Sequence, residues 1–165
     1  MWIDFDKMPS HARVWVYQAN RDLTTQEMAG IQQFLKNQIS DWAAHGAALL
    51  GSATLLYNRF AVVAVDETQN LPSGCSIDAS TRWFKEIEAQ TGLSFFDRSI
   101  AFLQNGHVQT IEMLKAKQAV NEGLITGDTM VFNPMVTTIA DFKTNWQVLA
   151  HQSWLKKYFL KVVTT

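Results

Sequence analysis

The chain has 165 residues, of which 47% are hydrophobic and 18% are charged, and its formal net charge is −1. This length and composition predict a single globular domain over residues 1–165 and exclude a disordered chain. The near-zero net charge gives no broad positive field, so we expect neither nucleic acid nor an anionic membrane as a partner.

The single cysteine limits the chemistry that the chain can support. It excludes an internal disulfide and every metal site that needs several cysteines. The first residues show no signal-peptide pattern, so we expect a cytoplasmic location. The apolar runs are much shorter than the roughly 18 to 20 residues that span a bilayer.

The first third of the chain predicts a strand followed by a helix. Arg13–Gln18 is rich in β-branched and aromatic residues and apolar on both alternating faces, which predicts a strand covered on both sides. Thr24 and Glu27 have the spacing of a capping box. Apolar residues then recur at intervals of three and four, which predicts a helix over about residues 25–44 with a stop at His45-Gly46.

The middle of the chain predicts a hairpin and a second helix. Ser52–Tyr57 and Phe60–Val65 are typical of strands, and Asn58-Arg59 between them predicts a tight turn. The second strand has no polar residue, so we expect it at the centre of a sheet. A helix is predicted from about Ile77 to Thr91, with Gly92 ending it in the left-handed conformation.

The remaining elements are predicted to be shorter. Asn105-Gly106 is a strong hairpin signal, and Gly123 ends a short helix. The predicted strands are 99–103, 107–113 and 129–133, the predicted helix is 114–122, and helical turns are predicted over 141–146 and 153–160.

The order of the elements indicates an α+β fold. The first six follow the order β-α-β-β-α-β, which matches the split βαβ, ferredoxin-like plan of an antiparallel sheet with two helices on one face. The later elements then form a C-terminal extension. An RNase H-like sheet is the alternative, and we rank it second because the first helix comes too early in the chain.

The stretch most suited to a functional site is 61–91. Asp66 and Glu67 end the apolar strand, and a polar loop then leads to Cys75 near the start of the second helix. Strand neighbours point to opposite faces, so one carboxylate of the pair can join Asp78 as an oxygen ligand for Mg²⁺. A helix N-terminus also stabilises a thiolate, which would suit Cys75 as a nucleophile or redox thiol.

A purely structural role is available for each of these groups, and we favour it. Cys75 can pack the loop against the sheet. Asp66 can accept hydrogen bonds from loop N–H groups, while Ser76 or Asp78 caps the helix.

Four further residues are candidates for contact with a ligand. Ser73 and Ser76 flank Cys75 in the same loop and helix start. Arg59 beside the hairpin and Arg82 in the second helix can bind an anion, although pairing with surface glutamates is favoured for both.

The segment Gly46-Ala47-Ala48-Leu49-Leu50-Gly51-Ser52 imitates a P-loop. It has no lysine between Gly51 and Ser52, and it follows a helix, whereas a P-loop follows a strand and opens a helix. We therefore reject ATP hydrolysis by this segment. The four histidines lack metal-ligand spacing, and we expect no resident metal or cofactor.

Several stretches together resemble a known family. They are Ala12–Gln18, Tyr57–Phe60, Ser73–Ser80, Val131–Asn133 and Ser153-Trp154. The chain resembles, over nearly its whole length, a family of small bacterial proteins that often carry the label "ABC transporter ATPase". The chain lacks the essential motifs of a transporter ATPase, so the label looks like a naming error and the resemblance implies no activity.

The sequence thus favours a non-catalytic module that binds a small ligand or another protein. Ferredoxin-like sheets often dimerise, so a homodimer is one form that we consider. The alternative is an enzyme that uses Cys75 as a nucleophile or redox thiol, or a metal held by Asp66 and Asp78.

Overall fold

The computed structural model describes residues 1–44, 47–68 and 75–160, with the side chains of 43, 44, 47, 75 and 76 left out of that description. The strands are β1 (Arg13–Gln18), β2 (Ala43–Ala44), β3 (Ala47–Ala48), β4 (Leu50–Leu56), β5 (Phe60–Asp66), β6 (Ile100–Gln104), β7 (His107–Ile111), β8 (Met130–Phe132) and β9 (Gln147–Leu149). The α-helices are α1 (Thr25–Ser40), α2 (Cys75–Thr91), α3 (Ala116–Asn121) and α4 (Ile139–Asn145). The fold is α+β, with antiparallel pairing throughout the two main sheets.

The chain groups into two compact units. Unit 1 comprises Met1–Asp97 and Val136–Lys143, and unit 2 comprises Arg98–Met135 and Thr144–Thr165. The single domain over residues 1–165 stays a prediction.

The sheet of unit 1 has the strand order β1-β5-β4. Residues 60–65 of β5 are all at most 1% exposed, so the prediction of a central, covered strand is confirmed. Residues 61, 63 and 65 lie in one core cluster with the inner residues of α1 and α2. Residues 60, 62 and 64 form the opposite face of β5 and are equally buried.

Helix α1 begins with the predicted capping box. The Thr24 hydroxyl accepts a hydrogen bond from the Glu27 N–H at 3.1 Å, and the Thr24 N–H donates to the Glu27 carboxylate at 3.0 Å. The helix ends at Ser40, four residues before the predicted end, because the chain turns into β2, which pairs with β3. The predicted stop at His45-Gly46 lies outside the described residues.

Helix α2 begins at Cys75, two residues earlier than predicted. Its buried face carries Ser80, Trp83, Phe84 and Ile87, as predicted. Gly92 follows it with φ +75°, and the Gly92 N–H donates to the Glu88 carbonyl at 2.8 Å, so the predicted left-handed stop is confirmed.

The hairpin between β4 and β5 is also present, with its turn one residue earlier than predicted. Tyr57 and Asn58 both have positive φ, and the Arg59 N–H donates to the Leu56 carbonyl at 3.1 Å. This is the type I′ geometry, whose twist matches that of the strands that it joins.

The outer edge of β4 is partly covered. The Ile3 N–H donates to the Gly51 carbonyl at 3.1 Å, and the Gly51 N–H donates to the Met1 carbonyl at 2.9 Å. Further along, the Gln32 carboxamide of α1 donates to the Ala53 carbonyl at 3.2 Å.

Our assignment of the strand at 99–103 to the first sheet is wrong. This segment is β6, and it lies in the second sheet, whose order is β7-β6-β8-β9. The Asn105-Gly106 hairpin joins β6 to β7, and Phe102 pairs with Val131 of β8. Beside β1, short segments take its place: the Val14 N–H donates to the Thr137 carbonyl, and the Gln18 N–H donates to the Phe95 carbonyl.

The C-terminal part combines one unpredicted strand with the expected helical turns. Strand β9 follows α4 directly and pairs with β8. Two 3-10 turns then follow, Ala150–Gln152 and Trp154–Tyr158. Among the described residues, no helix has the length and apolar character needed to cross a membrane.

Two glycine substitutions in unit 1 should change stability in opposite directions. Gly92→Ala should lower the free energy of unfolding by about 1 kcal/mol, because a Cβ at φ +75° is strained even though the space around it is open. Gly30→Ala should raise it by roughly 0.5–1 kcal/mol, because Gly30 lies inside α1 and also has open space. Urea unfolding of both variants measures the pair, and a stabilised Gly92→Ala variant would contradict the assigned role of Gly92.

Candidate functional site

The predicted site lies where β5 ends beside the start of β1. The Arg13 guanidinium donates to the Glu67 carboxylate at 3.0 Å, and His11 Nε2 lies 3.3 Å from Asp66 Oδ1. The two pairs lie on different faces of the sheet, since Asp66 follows the 60, 62, 64 face and Glu67 continues the helix-facing series.

Asp66 is occupied by its own loop. The Thr68 N–H and hydroxyl donate to Asp66 Oδ1 at 3.0 and 2.6 Å. These bonds, led by the one from the hydroxyl, hold the pKa of Asp66 below its usual value against the opposing effect of burial. The expectation that Asp66 accepts loop N–H bonds is confirmed.

Glu67 forms a buried ion pair that was not predicted from the sequence. Its side chain is 7% exposed, one carboxylate oxygen receives the hydrogen bond from Arg13, and the other has no partner among the described residues. Arg13 is 46% exposed, and its guanidinium carbon lies 4.9 Å from the centroid of the Trp15 ring. The pair joins the end of β5 to the start of β1, and strand alternation could have revealed it because both residues lie on the helix-facing side.

The structure does not bring Asp66 and Asp78 to one face. Asp78 is exposed in the first turn of α2, and α2 packs on the face opposite to Asp66. Because α2 begins at Cys75, Ser76 and Asp78 lie inside the first turn and not at the cap position, which corrects their predicted role.

The other predicted groups of this stretch are only partly described. Ser73 lies outside the described residues, and for Cys75 and Ser76 only the backbone, at the start of α2, is described. Within the described part of the chain, no group of three or more His, Cys, Asp or Glu residues could hold a metal ion.

Arg59 has a structural position at the other end of β5. It is 7% exposed, its Nε donates to the Ala19 carbonyl at 2.8 Å, and its Nη1 donates to Asp22 at 3.2 Å. Six strand residues separate it from Asp66, a distance of roughly 20 Å. Arg82 is exposed in α2, and its binding of an anion stays a prediction.

The segment that imitates a P-loop has strand geometry where it is described. Ala47–Ala48 forms β3, and Gly51 and Ser52 lie in β4. The Ser52 hydroxyl is fully buried and has no partner among the described residues. A phosphate site needs exposed N–H groups that open a helix, and a buried strand offers none.

A concave apolar surface was not predicted, and it lies between α1 and α2. This groove has a volume of about 230 Å³. Its apolar wall is formed by Ile31, Phe34 and Ile87. Gly30 leaves one side of the groove open, because a Cβ at this position would have no neighbour within 4 Å. The sequence signal was a glycine inside an otherwise regular helix pattern.

Most of the polar groups around the groove are already satisfied. Arg21 holds the Glu27 carboxylate through two hydrogen bonds of 2.9 Å, and the Thr91 hydroxyl donates to the Ile87 carbonyl at 2.6 Å. The Gln90 side-chain amide donates through Nε2 to the Glu86 carboxylate at 3.2 Å, while its carboxamide oxygen accepts nothing from the described residues. Gln90 therefore brings to the groove a carboxamide oxygen that no described residue occupies.

No protein-family model, curated protein or solved structure matches this chain. The resemblance to the small bacterial family stays a prediction.

The Arg13–Glu67 pair makes a direct prediction about stability. Arg13→Met should lower the free energy of unfolding by about 2 kcal/mol, since it keeps the stem over Trp15 but leaves a buried carboxylate without its cation. Replacing both residues with methionine should cost less than Arg13→Met alone. Denaturant unfolding of the two variants measures this, and a larger loss in the double variant would disprove the pairing.

Acid should weaken the protein through Glu27 and Asp66. The Arg21 hydrogen bonds, followed by the one from Thr24, lower the pKa of Glu27 from 4.5 to about 2. A carboxylate whose folded pKa is depressed stabilises the fold above its unfolded pKa, and this contribution is lost as the pH falls from 4.5 to about 2. The pKa of Asp66 is also lowered from its ordinary value of 3.8, so its contribution to stability is likewise lost as the pH falls below that value.

The variant Glu27→Gln tests this dependence. It should lose less stability than the parent chain over the same fall in pH, as measured by urea midpoints. Glu88→Gln, an exposed change on α2, serves as the control and should follow the parent. Parallel curves for all three proteins would contradict the role given to Glu27.

Proposed function

We propose that the protein is a non-catalytic binding module that takes a small apolar molecule into the groove between α1 and α2. The observation that carries this proposal is a mostly apolar concave surface that is also lined by Gln90, whose carboxamide oxygen accepts no hydrogen bond from the described residues. Binding sites for small molecules have this composition. The volume of about 230 Å³ is below the roughly 300–1,000 Å³ of drug-sized sites, so the ligand is about the size of one ring.

Gly30 supports the proposal because packing does not require it. Glycine inside a helix costs roughly 0.5–1 kcal/mol relative to alanine. A Cβ would meet nothing within 4 Å here, so no neighbouring atom forces the choice. What glycine does achieve is an open side to the groove.

Gln90 sets the chemistry of the preferred ligand. Gln90 lines the groove, and its carboxamide oxygen can accept a hydrogen bond from a hydroxyl or N–H group of a ligand. Glu27 lines the same groove, but its carboxylate already accepts three hydrogen bonds from Arg21 and Thr24. A small ring that carries one donor fits both features.

The carboxylates at the strand end support a non-catalytic assignment. Asp66 receives two hydrogen bonds from Thr68, and Glu67 is buried against Arg13. The enzyme alternative then depends on Cys75, whose side chain lies outside the described residues. The groove is the feature that the described residues favour.

We propose that unit 1 is a variant of the split βαβ plan, because β1, β4 and β5 have the order of three of its four strands and α1 and α2 pack on one face. The RNase H-like sheet stays the alternative. A cytoplasmic location and a homodimer stay predictions.

Phenol and toluene, which have similar ring sizes and differ in the hydroxyl donor, test the proposed site. In amide NMR titrations, both should shift the signals of residues that line the groove in a saturable way, with phenol binding more tightly. Gln90→Leu should remove the preference for phenol. The absence of saturable shifts with either compound would overturn the proposal.

A pair of leucine variants tests the location. Gly30→Leu should abolish binding because the new side chain occupies the groove. Ala29→Leu is the matched control, since Ala29 is exposed on the same helix and is not among the lining residues. Equal binding by both variants would place the ligand elsewhere.

A further inference from the structure

The two units differ in charge. Unit 2 has six lysine and arginine residues and three acidic residues, a net charge of +3 with neutral histidines. Unit 1 has eight basic and twelve acidic residues, a net charge of −4. The whole-chain value of −1 is therefore an average over two regions of opposite sign.

Unit 2 also exposes large apolar side chains on two 3-10 turns. Leu114 is 98% exposed and Met113 is 60% exposed on the turn Met113–Lys115. Trp154 is 40% exposed on the turn Trp154–Tyr158. Leu114 is almost fully exposed and therefore projects from the surface, while Met113 and Trp154 expose part of their side chains.

The two turns flank one helix. The first runs directly into α3, and Ala116 and Ala119 of α3 lie in the same core cluster as Leu155 of the second turn. We call the exposed part of these two turns the tip surface.

Lysines are interleaved with the apolar residues of the tip surface. Lys115 follows Leu114, Lys117 lies in α3, and Lys156 and Lys157 follow Trp154 in the same turn, and all four are exposed. Glu112 and Glu122 are the acidic residues near α3 in the sequence, and residues 144–165 contain no acidic residue at all.

We propose that the tip surface binds the interface of an anionic lipid membrane. Anionic headgroups attract lysine side chains, and tryptophan is enriched at the level of the headgroups. Leucine and methionine on a projecting turn can enter the acyl boundary without a matching pocket. A protein partner fits less well, because lysine is depleted at protein interfaces and a projecting side chain needs a pocket to receive it.

This proposal revises an expectation that was based on the whole chain. Salt screens charge over about 10 Å, so a membrane responds to the nearby face and not to the total charge of the protein. Surface binding also requires no spanning helix, in keeping with the described helices.

Co-sedimentation of the full chain with lipid vesicles tests the proposal. Vesicles of phosphatidylcholine mixed with phosphatidylglycerol should bind the protein at low salt at least about tenfold more tightly than vesicles of phosphatidylcholine alone. The double variant K156E/K157E should reduce binding by about tenfold or more. Lys85→Glu, an exposed charge reversal in unit 1, is the control and should have a much smaller effect.

Leu114→Ser separates membrane insertion from attraction to any polyanion. It removes an almost fully exposed side chain, so the fold should be unaffected while vesicle binding weakens several-fold. Absence of binding to the anionic vesicles, or equal losses in K156E/K157E and Lys85→Glu, would overturn the proposal. The proposal would also be overturned if the protein bound a single-stranded oligonucleotide as tightly as the anionic vesicles and Leu114→Ser changed neither affinity.

Discussion

The burial of β5 on both faces constrains most of unit 1. Its residues 60–65 are excluded from water, so a polar side chain along its length would have to be desolvated without a partner. Polar groups therefore collect at its two ends. Arg59 is paired with the Ala19 carbonyl and Asp22 at one end, and Asp66 and Glu67 are paired at the other. In the sequence these polar groups have the pattern of a functional site. In the structure they form hydrogen bonds and ion pairs that stabilise the two ends of the strand.

Local signals were sufficient to predict most elements of unit 1. The capping box of Thr24 and Glu27, the apolar run of β5 and the glycine at position 92 each depend on contacts within a few residues. The end of α1 was wrong because residues 43 and 44 pair with 48 and 47, and such pairing overrides helix propensity. The sheet that contains β6 could not be predicted, since either sheet satisfies the same alternating pattern.

The candidate site shows the same division between local and tertiary information. The bonds from Thr68 to Asp66 span two residues and were expected, while the Arg13–Glu67 pair spans 54 residues and was not. The groove was also invisible in the sequence, because it exists only where α1 and α2 pack side by side. Gly30 was the one sequence feature that indicated the groove. A glycine inside a helix pattern does not by itself distinguish a groove from a locally weakened helix.

The contact between Gln32 and the edge of β4 has a consequence for solubility. A free strand edge is a template on which another chain can add a strand, and this route leads to aggregates. The Gln32 carboxamide occupies the Ala53 carbonyl, and residues 1–3 occupy Gly51, so an incoming strand would find these backbone groups already used. Loss of the Gln32 amide would expose that acceptor during refolding at high concentration. The loss would therefore lower the yield of soluble protein and hardly change the unfolding midpoint.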